Sequence, residues 1–198
     1  MCLIVDTNVF GSVFDPTAKE HQRFLPVYNW LAFGNGGKLI FGGTKYKQEV
    51  DFKTSRCLRL LAEFERRGRL LSLDDSLVDK AAAVVKKKVA DRDFNDEHIV
   101  ALVIVSRCCV VCTDDLRSIS FLKRGELYPA GLKAPKIYGG VRNANLCCSD
   151  HVVGLCNDGA SRPGHHGNAT RKAAARRSQP KSPHRRTAGA TRQIAGKN

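Results

Sequence analysis

The sequence lacks any apolar run that approaches the length of a membrane span. It also lacks a basic segment ahead of its short N-terminal apolar stretch, the feature with which a secretory signal begins. Acidic residues are scarce near the other end, where residues 141–198 hold 11 Lys and Arg but only 2 Asp and Glu. From the first two absences we expect a cytoplasmic protein with no membrane segment, and the third leaves a strongly basic C-terminal region.

The positive charge of the chain is concentrated in that C-terminal region. The 198 residues carry a formal net charge of +14, of which residues 1–140 contribute +5 and residues 141–198 contribute +9. Gly, Ala, Ser, Pro, Arg and Lys dominate the second range, and no apolar periodicity continues there. Because such a segment buries too little apolar surface to offset chain entropy, we predict one folded domain over 1–140 and a disordered basic tail over 141–198.

The charge favours a polyanionic partner such as nucleic acid. The tail has two interpretations, an electrostatic arm that contacts nucleic acid or a solvated extension without a role, because a basic run alone does not distinguish them. The tail is therefore left with both interpretations, and the function has to be sought in the folded domain.

Short apolar strands alternate with helical patterns through the first 140 residues. The patterns predict strands over 3–5, 38–41, 70–73, 109–113 and 134–138. They predict helices near 8–13, 18–33, 44–50, 58–65, 74–88, 96–106 and 116–123. The segment 99–105 fits strand or helix, and we choose helix because the next strand follows too closely for a parallel crossover. The alternation predicts an α/β protein with a mostly parallel sheet.

Carboxylates lie where the predicted strands end and where two of the helices begin. Asp6 and the pair Asp114 and Asp115 each follow an apolar strand, and ligands bind beyond the carboxyl ends of strands in open parallel sheets. Glu49 and Asp96 lie early in helices that start near the same edge. Carboxylates gathered there repel one another unless a cation intervenes, and Mg²⁺ or Mn²⁺ is the expected ion. Such an ion polarises phosphoryl oxygens and supplies a bound hydroxide, so the set predicts phosphodiester hydrolysis.

Each acid taken singly also has an ordinary structural explanation. Asp96 fits an acid that faces the positive end of a helix dipole, and Glu49 fits a solvated helix residue. Asp114 and Asp115 fit a turn. Only the joint order of the acids along the chain favours a shared site.

That order resembles the PIN-domain ribonucleases over about residues 1–140. In that family an opening strand ends in Asp-Thr-Asn, a helix carries the second acid, a third acid leads a helix of the form Asp-x-x-Ile-x-Ala, and a later strand ends in Thr-x-Asp. The matching segments, in the same order, are Val5-Asp6-Thr7-Asn8, Lys45-Tyr46-Lys47-Gln48-Glu49-Val50, Asp96-Glu97-His98-Ile99-Val100-Ala101 and Thr113-Asp114-Asp115. Two rival candidates for the helical acid are Asp51 and Glu63.

The resemblance implies a three-layer α/β/α sandwich and an endoribonuclease that depends on Mg²⁺ or Mn²⁺. Its catalytic acids would be Asp6, Glu49, Asp96 and Asp115, with Asp6 and Asp96 binding the principal ion directly. Glu49 and Asp115 would hold that ion through water, place a second ion, or orient the attacking water.

Further positions follow from the same resemblance. Asn8 and Thr113 would fix the acids by hydrogen bonds, and Asp114 is a rival for the role of Asp115. Lys45 and Lys47 lie close in sequence to the helical acid and are predicted to meet RNA phosphates. The basic runs 66–69 and 86–88 fit the same role but are better explained as solvated helix faces.

The expected partners also come from the family. Its members cut single-stranded or structured RNA, and many of this size are toxins of toxin–antitoxin pairs, inhibited by a partner protein and often dimeric. We therefore expect RNA, an antitoxin protein and a second copy of the chain as partners. The long basic tail departs from the compact toxins.

Two alternative functions remain open at this stage. A haloacid-dehalogenase-like phosphatase also has an acid after its first strand, but that family needs Asp-x-Asp and Asn8 replaces the second acid. The other alternative is a catalytically inactive PIN-fold module that only binds RNA.

Overall fold

The computed structural model describes residues 2–34, 37–51, 55–89, 91 and 94–148. Residues 149–198, and with them most of the predicted basic tail, lie outside the described residues, so the tail stays a prediction. No helix in the described ranges is both long enough and apolar enough to cross a membrane.

The described strands form one five-stranded parallel sheet, which confirms the α/β prediction. They are β1 (Cys2–Val5), β2 (Lys38–Phe41), β3 (Leu70–Ser72), β4 (Val110–Cys112) and β5 (Lys136–Tyr138). Their order across the sheet is β3-β2-β1-β4-β5, and every neighbouring pair is parallel. The side chains of β1 and β4 are entirely buried, as expected for central strands covered on both faces.

Helices connect the strands close to where the periodicity predicts them. They are α1 (Phe10–Phe14), α2 (His21–Ala32), α3 (Thr44–Asp51), α4 (Ser55–Arg66), α5 (Asp75–Lys88), α6 (Glu97–Ser106) and α7 (Leu116–Leu122). A short 3₁₀ helix, Thr7–Val9, precedes α1. α2 begins three residues later than predicted, because the chain makes turns before it.

The ambiguous segment 99–105 is helical, as chosen. Residues 99–103 in α6 have no exposed surface, so this helix is enclosed by protein on most of its circumference. A helix buried in this way needs apolar residues all round and therefore loses the amphipathic period that would have identified it. The sequence-level ambiguity thus has a physical cause.

The strand order reverses at β1 and β4. From β1 the chain builds outward through β2 to β3 and then returns to place β4 on the other side of β1. The described helices form two packing groups: α1 packs against α2 and α4, whereas α3, α5 and α6 pack against one another. This arrangement is compatible with three layers, and the strand order makes the carboxyl ends of β1 and β4 the topological switch point at which such sheets bind ligands.

The packed structure continues past the predicted boundary at residue 140. A 3₁₀ helix, Val141–Leu146, follows β5, and its Leu146 is only 7% exposed and belongs to the hydrophobic core. The folded domain therefore includes residues that the composition of the chain had grouped with the tail.

Candidate active site

The ends of β1 and β4 are joined by hydrogen bonds that continue past the strands. The backbone N–H of Asp6 donates to the carbonyl of Cys112 at 2.9 Å, and the Thr113 hydroxyl donates to Asp6 Oδ2 at 2.7 Å. The predicted supporting residue Asn8 is exposed, and its amide nitrogen lies 3.4 Å from the Thr113 hydroxyl. Asp6 is therefore fixed by its own backbone and by one strong side-chain donor.

Asp6 is a buried carboxyl group with too little compensation for its charge. It is only 4% exposed. Burial, followed by repulsion from Asp96, raises the pKa of Asp6 from 3.8 to about 6, although the hydrogen bonds from Thr113 and Asn8 and attraction to His98 oppose that rise. A carboxylate in this condition gains from an added cation.

Asp96 immediately precedes α6 but makes no hydrogen bond that caps the helix. Burial raises the pKa of Asp96, repulsion from Asp115 raises it further, and attraction to His98 and Lys45 lowers it. The prediction of a plain helix-start acid accounts for its place in the chain but not for this mutual repulsion. Asp96 thus interacts electrostatically with Asp6 on one side and with Asp115 on the other.

Glu49 is brought to the same region by α3. The hydroxyl of Tyr46 donates to the carbonyl of Val5 at 2.6 Å and ties this helix to the end of β1. One turn later, the Thr7 hydroxyl donates to Glu49 Oε2 at 2.6 Å, and His98 Nε2 lies 3.4 Å from the same oxygen. Burial would raise the pKa of Glu49, but Thr7 and His98 outweigh burial and lower it to about 2. Glu49 is therefore ionised at neutral pH.

The start of α3 is set by a tight turn after β2. Gly43 has φ +82°, a conformation that favours glycine, and a Cβ there would lie 2.6 Å from a methyl carbon of Val78. Its N–H donates to Asp75 Oδ1 at 2.8 Å, which ties the turn to the start of α5. This close approach of the two helices directs α3, and with it Glu49, towards β1.

The two acids after β4 have different surroundings. Asp115 is the N-cap of α7 and accepts hydrogen bonds from the N–H groups of Arg117 and Ser118 at 2.8 and 3.4 Å. Although burial opposes it, these bonds lower the pKa of Asp115. Asp114 pairs with Arg23, whose Nη1 lies 3.2 Å from its Oδ2. Of the two, only Asp115 is coupled to Asp96 in the described interactions.

The rival acids for the helical position lie in other surroundings. Asp51 is exposed at the last residue of α3. Glu63 on α4 forms ion pairs with Arg66 and Arg67 on its own helix or just beyond it. Of the three candidates, Glu49 is the acid with a described contact to the residues that follow β1, through the Thr7 hydroxyl.

The two lysines predicted to meet RNA already have protein partners. Lys45 lies 3.2 Å from Glu97 Oε1 and also donates to the carbonyl of Asn95, so it bridges α3 to the start of α6. Lys47 pairs with Asp75 at 2.6 Å. Lys45 therefore places a positive charge beside the acids, whereas Lys47 stabilises the contact between α3 and α5.

Several contributing residues were not singled out from the sequence. They are Thr7, which binds Glu49, Tyr46, which fixes α3, and His98, which lies beside Glu49. All three lie inside the motif segments quoted above, so closeness to the acids was the available signal. What each side chain touches depends on tertiary packing that a single sequence does not specify.

The donor set fits a hard divalent ion held mostly by water. Among the described residues, no group of three or more His, Cys, Asp and Glu is arranged to hold a metal ion. Mg²⁺, however, usually keeps several waters and needs only one or two carboxylates together with substrate phosphate. Asp6 and Asp96 are two carboxylates of this kind, since both are buried at least in part and repulsion from Asp96 raises the pKa of Asp6.

Comparison with other proteins does not add a family to this geometry. No protein-family model matches the chain, and neither does any curated protein or solved structure. Inferences about function therefore rest on the carboxylates, their partners and the sheet edge that carries them.

Proposed function

We propose that the chain is a divalent-metal-dependent endoribonuclease with a PIN-type three-layer α/β/α fold. It would hydrolyse RNA phosphodiester bonds with Asp6, Glu49, Asp96 and Asp115. The observation that most supports the proposal is the buried Asp6 at the switch point of the sheet, whose pKa is raised to about 6 by burial and by Asp96. Strongly perturbed carboxyl groups in such a position are characteristic of functional sites.

Each acid has a role suited to its surroundings. Asp6 and Asp96 would hold the Mg²⁺ or Mn²⁺ ion, which when bound polarises a phosphoryl oxygen and lowers the pKa of a coordinated water. Glu49, kept ionised by Thr7, would orient the attacking water by accepting a hydrogen bond. Asp115 lies on the more exposed side of the site, where its side chain caps α7. From there it would hold the ion through water or place a second ion.

The neighbouring side chains hold these acids in place. The Thr113 hydroxyl directs Asp6, and its oxygen also accepts the N–H of Asp115 at 3.2 Å, so one residue links two of the acids. Lys45 reduces the net negative charge and would attract a phosphate that approaches the site. Fixed ligands and fixed charges of this kind reduce the reorganisation needed during reaction.

The charge of the chain supports a nucleic-acid substrate, and the resemblance to the PIN-domain ribonucleases makes RNA the proposed one. The formal net charge of +14 favours a polyanion, and a phosphodiester is the substrate class that a carboxylate-bound Mg²⁺ serves. An antitoxin partner and a homo-oligomer remain predictions of the resemblance, and a cytoplasmic location remains a prediction from the sequence.

The decisive experiment is RNA cleavage by the full chain with Mg²⁺ or Mn²⁺. We expect cleavage that EDTA abolishes and that Asp6→Asn or Asp96→Asn lowers by about a hundredfold or more, since even residues that only support a metal ligand contribute 10–100-fold. Asp51→Asn, a matched change at the exposed end of α3, should retain activity. Circular dichroism would verify that each variant is folded.

Other outcomes select the alternatives. Hydrolysis of p-nitrophenyl phosphate with RNA left intact would indicate a phosphatase. Tight RNA binding without cleavage, unaffected by Asp6→Asn, would indicate an inactive binding module. An Asp6→Asn variant that cuts RNA at the wild-type rate would refute the proposed site.

A further inference from the structure

A cavity of about 400 Å³ lies at the carboxyl edge of the sheet, where β5 ends. Its lining consists of Arg23, Gly139, Gly140, Val141, Arg142 and Asn143. None of these six residues is acidic, and two of them carry a positive charge. The N–H of Thr113 donates to the carbonyl of Tyr138 at 3.1 Å, so the segment after β5 lies beside the segment that carries Asp114 and Asp115. The cavity is therefore a neighbour of the proposed active site.

Arg23, in the first turn of α2, lines this cavity with a guanidinium group that the protein already holds in place. Its Nε and Nη2 atoms donate to the carbonyl of Gly139 at 2.8 and 2.6 Å, and its Nη1 donates to Asp114 Oδ2 at 3.2 Å. These bonds use three of the five N–H groups of an arginine side chain, so two remain for another acceptor. The side chain is 41% exposed, so a ligand can reach it.

The backbone at Gly140 leaves room for that guanidinium group. Gly140 has φ +153°, and a Cβ there would lie 3.2 Å from Arg23 Nε and 3.3 Å from Arg23 Cγ. A side chain at this position would therefore press on the arginine, and glycine avoids that contact. Gly140 also precedes the 3₁₀ helix Val141–Leu146, which supplies the rest of the lining.

That 3₁₀ helix adds two more donors to the cavity. Arg142 is exposed, and in the described part of the chain it forms no ion pair or hydrogen bond. Asn143 accepts the N–H of Gly139 with its Oδ1 atom at 3.4 Å, which leaves its amide nitrogen as a donor. Asp114 offsets the charge of Arg23 in part, whereas the charge of Arg142 is available. The cavity thus offers N–H donors and positive charge, as an anion requires.

We propose that this cavity, which we call the phosphate pocket, binds a backbone phosphate of RNA next to the scissile one. The inference rests on the proposed ribonuclease function, because RNA is taken as the substrate. Guanidinium groups match the geometry of phosphate oxygens, which only accept hydrogen bonds. Neighbouring strands lie about 4.8 Å apart, so the end of β5 is within reach of a nucleotide adjacent to the acids. Such a contact fixes the register of the RNA without reading its bases.

The test measures binding without cleavage, in EDTA and on the full chain. Fluorescence anisotropy would follow labelled RNA oligonucleotides that have no terminal phosphate. Arg142→Gln should bind them about tenfold more weakly at low salt, the scale of one hydrogen bond to a charged group. It should also lower the slope of log affinity against log salt concentration by about 1. The loss should be the same for oligocytidine, oligoadenosine and oligouridine, because a phosphate contact is blind to the base.

Matched variants separate the pocket from the overall charge of the chain. Arg107→Gln removes an exposed arginine just before β4, at the opposite edge of the sheet, and should leave affinity and salt slope close to those of the wild type. Val141, which is 57% exposed in the lining, offers a second comparison. Val141→Glu places a carboxylate in the pocket and should weaken binding at least as much as Arg142→Gln, whereas the neutral Val141→Gln should not.

Three results would overturn the phosphate pocket. They are equal losses of affinity in Arg142→Gln and Arg107→Gln, equal affinities of Val141→Glu and Val141→Gln, and a loss in Arg142→Gln that depends on the base or appears only when the RNA carries a 5′-phosphate. Cleavage in Mg²⁺ with the same KM for wild type and Arg142→Gln would refute this inference alone. Binding that depends on Arg142 in a chain that cuts no RNA would refute the ribonuclease and leave the pocket.

Discussion

Thr113 and Asp6 lie 107 positions apart in the sequence, yet the threonine hydroxyl donates a 2.7 Å hydrogen bond to the aspartate carboxylate. The contact exists because β1 and β4 are parallel neighbours, so that the residues following the two strands emerge at the same edge. It is also one of the interactions that keep the pKa of Asp6 from rising further. This hydrogen bond therefore results from the pairing of β1 with β4 and also lowers the pKa of Asp6.

Replacing Thr113 with valine should test that bond at nearly constant volume. Thr113 is fully buried, so Thr113→Val leaves a buried carboxylate without its main donor, and we expect a loss of about 1–3 kcal/mol in the free energy of unfolding at neutral pH. Thr113→Ser keeps the hydroxyl and should lose less. Urea titration of the three proteins would measure this, and equal stability of valine and wild type would show that the bond contributes nothing.

The raised pKa of Asp6 predicts how stability depends on pH in the absence of metal. An acid whose pKa is higher in the folded state binds its proton more tightly when folded, so its contribution to stability is present below pH 3.8 and is lost as the pH rises through about 6. The loss is about 3 kcal/mol by neutral pH. The asparagine in Asp6→Asn does not titrate. The free energy of unfolding of this variant, relative to that of the wild type, should therefore rise by about this amount from pH 4 to pH 7.

Taking the difference between the two proteins removes the contribution of acids that do not interact with Asp6. Glu49 has the opposite sign, since its pKa is lowered to about 2 and its stabilisation is lost as the pH falls below 4.5. Both proteins share that contribution. Adding Mg²⁺ at neutral pH should stabilise the wild type and not Asp6→Asn, and a difference in stability that does not change with pH would contradict the raised pKa.

The sequence was sufficient to predict the sheet and the position of Asp6. The two central strands are buried on both faces, so their apolar runs are continuous, and an acid directly after such a run must lie at the strand end. The helix over 96–106 was harder, because burial on most sides removes helical periodicity. It was resolved by the chain length needed for a parallel crossover.

The contacts of the individual side chains could not be predicted from the sequence. Nothing in the spacing indicates that Arg23 on α2 pairs with Asp114, or that Lys47, which was predicted to meet RNA phosphates, pairs with Asp75. These contacts depend on how helices pack over the sheet, which brings together residues 28 to 91 positions apart.

The structure separates Asp114 from Asp115, and substitution to asparagine should confirm which acid acts. Asparagine is as good an N-cap as aspartate, so Asp115→Asn keeps α7 capped while it removes the charge that interacts with Asp96. We expect a fall of about tenfold or more in RNA cleavage with less than about 1 kcal/mol of lost stability. Asp114→Asn should keep most activity, because its partner is Arg23. The reverse ranking of cleavage rates would transfer the role to Asp114.

The packing of Leu146 predicts where the chain can be shortened. This side chain is 7% exposed within the core, so removing residues 141–198 should destabilise the fold by at least as much as Leu146→Ala in the full chain, about 2–3 kcal/mol. A chain of residues 1–148 keeps every described residue and should melt as the full chain does.

Because the 1–148 chain loses most of the basic tail, its affinity for RNA should fall and depend less steeply on salt. Melting temperatures and RNA titrations at several salt concentrations would measure both effects. If the 1–140 chain were as stable as the 1–148 chain, Leu146 would have no part in the core, and an unchanged salt dependence would show that the tail does not touch RNA.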